Sequence, residues 1–131
     1  MNRKRFFIYL ASLVFFIFIL NTLAGRFYWY YSIWYFDMIM HFLGGLWLGL
    51  VFIWLFWGKE FNLKLFLKII LGVLLISVLW EIFEIIFNNI LVGDPFNFLD
   101  TISDVFCDLA GGTFAIFYFL KRIMFKEKNK I

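Results

Sequence analysis

Asp37-Met-Ile-Met-His41 sets a carboxylate and the chain's one imidazole four residues apart, so that in a helix both lie on one face. Ser77, Glu81, Glu84 and Asn88 recur at i, i+4, i+7 and i+11, again a single helical face, and Asp100, Asp104 and Asp108 form a slowly drifting stripe. These stretches hold six of the nine acidic residues, with only Arg26 near them in sequence, so the carboxylates would repel one another at low dielectric unless something positive balanced them. Shared protons, a metal ion or a cationic group on a ligand could do so. Seven residues, Asp37, His41, Glu81, Glu84, Asp100, Asp104 and Asp108, are the candidate metal ligands. Oxygen donors with one imidazole favour Mg²⁺, Mn²⁺ or Ca²⁺ over zinc. Glu81-x2-Glu84 is not the Glu-x2-His pair of carboxylate-bridged iron bundles.

The elements that must carry these residues are apolar. The chain of 131 residues is 65% hydrophobic and only 16% charged, a balance that a soluble domain of this size could not bury. The expected fold is all-α: one domain over residues 1–131, a polytopic membrane bundle of four transmembrane helices at about residues 6–23, 33–57, 65–91 and 101–124. Tight connections make consecutive helices antiparallel, with a turn at Gly93-Asp94-Pro95. Eleven of the twelve Lys and Arg residues fall before span one, between spans two and three, or after span four, leaving Arg26 alone on the other side. The positive-inside rule then puts both termini in the cytoplasm, with the acidic groups toward the outer face and an aromatic belt from Phe27 to Tyr35 at the outer interface. A cleaved signal peptide is the competing reading of span one, but the apolar run is long for a signal core. Basic residues confined to helix ends exclude a nucleic-acid surface. Cys107 has no partner for a disulfide or a zinc site, and reads as a packing residue.

Asp37-x3-His41-x2-Gly44-Gly45 is matched 67 residues later by Asp104-x3-Asp108-x2-Gly111-Gly112. The repeat predicts two tandem helical hairpins, each sending its second helix to a common centre. Gly45 with Gly49, and Gly111 with Ala115, are small-x3-small pairs that let helix backbones approach closely. Structural roles compete with functional ones at some acids: Asp100 could be the N-cap of span four, with Thr101-x2-Asp104 as a capping box. Asp37 could favour a helix N-terminus, and Glu84 could be reached by water. His41, Glu81 and Asp108 lie about a turn deeper, where an ionised group costs on the order of 3 kcal/mol, and are the candidates for catalytic roles.

Through Asp37-x3-His41-Phe42, Trp80-Glu81-x2-Glu84 and Asp100-x3-Asp104-x3-Asp108-x2-Gly111 the chain resembles the VanZ-like membrane proteins and, more closely, the related YjdF-type proteins of unknown function. The resemblance implies a bacterial-type plasma-membrane, cell-envelope protein. It departs in Asp108, where many VanZ-like chains carry Asn, and in its short loops. Three functions compete. One is a protein, enzyme or not, that uses a divalent cation to engage an outer-leaflet lipid, or a lipid-linked or amphiphilic envelope molecule. Another is a proton- or cation-coupled transporter, which with four helices would need to form a homo-oligomer. The third is a non-catalytic scaffold subunit, which would gain little from acids at that depth.

Overall fold

The computed structural model describes residues 2–128, with side chains through residue 122. Helix α1 is Arg3–Arg26, a four-residue α2 is Trp29–Ser32, α3 is Phe36–Leu55, α4 is Leu63–Phe87 and α5 is Phe98–Lys128. There are no strands among the described residues, and four helices are long and apolar enough to cross a membrane: Arg3–Arg26, Phe36–Leu55, Leu63–Val92 and Phe98–Arg122. The chain is thus an all-helical bundle with four candidate spans. Lys126, Lys128 and Lys130 of the basic tail lie outside the residues whose side chains are described.

Asparagines start three of the four long helices, because a carboxamide oxygen one residue ahead of a helix accepts a free first-turn N–H. Asn2 accepts from the Arg5 N–H at 2.8 Å and Asn62 from Leu65 at 2.9 Å. The cap of α5 corrects the expectation at Asp100. The helix begins at Phe98, so the capping position is Asn97, whose Oδ1 accepts from the Asp100 N–H at 3.3 Å. Asp100 is therefore inside the first turn and Asp104 in the second, too deep to close a capping box. Between α4 and α5 the chain passes through a π-helical turn, Asn88–Val92, that ends on Gly93 in the left-handed region at φ 76°. This turn occupies the last part of the expected third span.

The centre of the bundle is the pair α3 and α5. The two helices run parallel, since His41 lies against Asp108 while Gly49, two turns further along α3, lies against Gly112 and Ala115, further along α5. A Cβ on Gly45 would fall inside the Asp108 backbone, and one on Gly111 inside the Phe42 carbonyl. Contact this close needs residues without side chains. Helix α4 packs on both α3 and α5, burying Leu65, Ile69, Val73, Ser77 and Glu81 at four-residue steps. Helix α1 packs chiefly on α3, where the Trp47 indole N–H donates to the Leu10 carbonyl at 3.0 Å. Phe6, Ile53, Leu65, Ile69, Val73 and Ile116 close an apolar core toward the end of the bundle where α1 and α4 begin. The polar residues collect at the far end, beyond that core.

Candidate functional site

His41, buried at 8% exposure, projects from the second turn of α3 into the angle between α4 and α5. Its Nδ1 lies 3.3 Å from Asp108 Oδ2, the residue at the matching position of the repeat, and the Ser77 hydroxyl donates to that same oxygen at 2.5 Å. The two repeat equivalents thus meet across the α3–α5 contact, with Ser77 of α4 pinning Asp108. On the other side of the ring, Nε2 faces Asp37 Oδ1 at 3.7 Å, Asp104 Oδ2 at 3.7 Å and Glu81 Oε1 at 3.9 Å. These separations exceed hydrogen-bond length.

Glu81 and Asp104 are 4% and 3% exposed, and Glu81 Oε1 and Asp104 Oδ1 have no hydrogen-bond partner. Buried polar atoms are nearly always paired, because an orphaned acceptor forfeits its hydration with no return. Among the described residues every ion pair involves His41, so no lysine or arginine balances these acids. Two donors that each stand roughly 2.0–2.5 Å from one hard cation are themselves roughly 3–4 Å apart, the spacing found around Nε2. Asp37, His41 and Asp104 form one group with metal-ligand spacing, and His41, Glu81 and Asp108 a second, overlapping one. The buried His/Asp/Glu cluster could therefore hold a metal ion.

Of the seven candidate ligands the structure brings five together: Asp37, His41, Glu81, Asp104 and Asp108. Glu84 and Asp100 stand apart from both groups and line an adjoining cleft of about 280 Å³ with Asn88, Asn89, Asp94 and others. Glu81 lines the cleft and also belongs to the second group, which sets the cleft directly beside the buried cluster. Tyr30 of α2 stands nearby and donates its hydroxyl to Asn21 Oδ1 at 2.6 Å. Burial first, then the negative charges of Asp37 and Glu84, push its pKa up to about 12, so it remains a neutral donor. Ser77 belonged to the polar face legible on α4, but its bond to Asp108 depends on how α4 packs against α5. Asn97 was legible only as a loop residue, because its role follows from where α5 begins.

Toward the end where α1 and α4 begin, the polar chain stops at Ser77 and Asp108. Val73, Ala115, Ile116 and Ile69 come next, all fully buried and apolar. The site is therefore open at one end of the bundle and closed beneath. Neither a curated protein nor a solved structure matches the chain. A family described as "Predicted membrane protein (DUF2238)" matches residues 1–124, nearly the whole sequence and all four candidate spans, and the chain belongs to that family.

Proposed function

We propose that this protein holds a divalent cation in the membrane, on the His41 cluster, and uses it to engage a phosphate or hydroxyl group of an outer-leaflet lipid or lipid-linked envelope molecule. The observation that carries the reading is the set of three carboxylate oxygens around His41 Nε2, with two orphaned acceptors and no basic residue in reach. Oxygen-rich ligation with one imidazole favours Mg²⁺, Mn²⁺ or Ca²⁺. Asp37, Glu81 and Asp104 supply the charge facing Nε2, while Asp108 and Ser77 orient the ring from Nδ1. If a bond is made or broken here, Glu81, which has an oxygen without a hydrogen-bond partner, is placed to move the proton.

Two comparisons favour this reading over its rivals. A coupled transporter would draw on the same acids, and the Ser77–Asp108–His41 chain is a plausible relay, but the apolar layer beneath it supports a one-sided site. A scaffold would carry the cost of orphaned buried carboxylates without using them. The resemblance of the cluster residues to VanZ-like and YjdF-type proteins adds support for an envelope setting.

Metal analysis and melting of the purified protein test the proposal. An ion present at about 100 times its Kd should stabilise the folded state by about 2.7 kcal/mol, and Glu81→Gln should remove most of that response. A parent that carries no metal, and whose melting none of the three ions shifts, would move the balance to shared protons.

The same proposal puts the cleft outside a plasma membrane and both termini in the cytoplasm. In intact cells, with Cys107 replaced, an impermeant thiol reagent is expected to modify a cysteine introduced at Gly93 and spare one introduced at Lys59. The reverse pattern would invert the site.

A further inference from the structure

We propose that the cluster holds two divalent cations rather than one, with the Asp104 carboxylate bridging them and Asp37 and Asp100 completing the outer position. The inference deepens the cation-site reading and rests on it.

Asp104 carries the argument, because its two oxygens have different surroundings. Oδ2 faces His41 Nε2 at 3.7 Å, whereas Oδ1 has no hydrogen-bond partner, in a residue only 3% exposed. One ion at Nε2 accounts for Oδ2 and for Glu81 Oε1, which faces the same nitrogen. It leaves Oδ1 unanswered. A carboxylate can bind a separate cation through each oxygen, and the ions of two-metal sites stand roughly 3.5–4 Å apart, a span that such a bridge covers.

Charge balance points the same way. Asp37, Glu81, Asp104 and Asp108 bring four negative charges to one neutral imidazole, and among the described residues every ion pair involves His41. One divalent ion leaves two of those charges uncompensated where an ionised group is costly, and a second cancels them. Donors for it are in place. Asp37 shares a group of metal-ligand spacing with Asp104, and Asp100 lies one turn nearer the start of α5 on the same face. Glu81 belongs to the other group, with Asp108. The Asp37 side chain is 39% exposed and Asp100 is exposed, so the outer ion meets water and is the weaker and more exchangeable of the two. Two ions side by side can clamp two oxygens of one phosphate, a group that the cation reading assigns to the ligand.

The test is a Mn²⁺ titration of the purified full chain in mild detergent, with bound metal counted and its electron paramagnetic resonance recorded. Two Mn²⁺ per chain are expected at saturation, with the spin coupling of a bridged pair in place of the hyperfine pattern of an isolated ion. Asp100→Asn, at an exposed position, should weaken the second ion roughly tenfold or more. The isolated-ion pattern should then return at a Mn²⁺ concentration that couples the parent. Asp100→Ser serves if the first variant does not fold. A single Mn²⁺ per chain at saturation would overturn the proposal, Asp104 then chelating one ion through both oxygens. Two ions without spin coupling would overturn it as well, and so would coupling that persists unchanged without the Asp100 carboxylate. A parent that binds no Mn²⁺ would overturn the cation reading itself, an outcome that the metal count separates from the others.

Discussion

Adding one methyl group at Gly45 or Gly111 is expected to force α3 and α5 apart and to lower stability by about 1–3 kcal/mol or more. The obstacle in both cases is backbone rather than a side chain that could turn away: the Asp108 carbonyl for Gly45, the Phe42 carbonyl and Leu46 nitrogen for Gly111. The helices must therefore separate. Because His41 and Asp108 face each other across that contact, separation also opens the cluster, so Gly45→Ala should lose stabilisation by divalent ions as well as melting temperature. Gly25→Ala is the control. Nothing lies within 4 Å of a Cβ at that site, and alanine's better helix propensity should leave stability unchanged or slightly raised. Thermal melting of the three variants in one detergent decides the matter, and a Gly45→Ala protein that melts with the parent would contradict the close approach.

Asp108 offers the second large effect, because one oxygen serves two buried donors. Asp108→Leu leaves the Ser77 hydroxyl and the His41 Nδ1–H without an acceptor, at a cost of about 1–3 kcal/mol each. Asp108→Asn keeps an acceptor and the shape. It should fold, yet bind the cation about 10–100-fold more weakly, as expected when the carboxylate that orients a ligating histidine is lost. The chain has a single histidine, so ¹⁵N-histidine labelling gives signals from this ring alone. With Mg²⁺ or Ca²⁺ bound, the parent should show a protonated Nδ1 and an unprotonated Nε2. Two protonated nitrogens in the presence of saturating ion would remove His41 from the ligand set, and a normal cation affinity in Asp108→Asn would remove Asp108 from its orienting role.

Hydropathy and helical period are local properties, and they determined the spans, the shared face of Asp37 with His41, and the polar stripe of Ser77, Glu81 and Glu84 on α4. The glycine repeats likewise marked where α3 and α5 could touch. Partner choice was another matter. The half-chain repeat treats α1 and α4 as equivalents, yet α4 packs on both central helices while α1 packs chiefly on α3. In a lipid environment apolar faces gain little from meeting each other, so polar groups decide which helix comes to the centre. On α4, Ser77 and Glu81 find their surroundings only at the α3–α5 seam. On α1, Ser12 and Thr22 donate to carbonyls of their own helix, Ile8 and Phe18, so these hydroxyls exert no pull inward. The same tertiary arrangement separated Asp108, which holds Nδ1, from Asp37, Glu81 and Asp104, which face Nε2. Spacing along a helix sets which carboxylates reach the ring, and only the crossing of three helices sets which nitrogen each one meets.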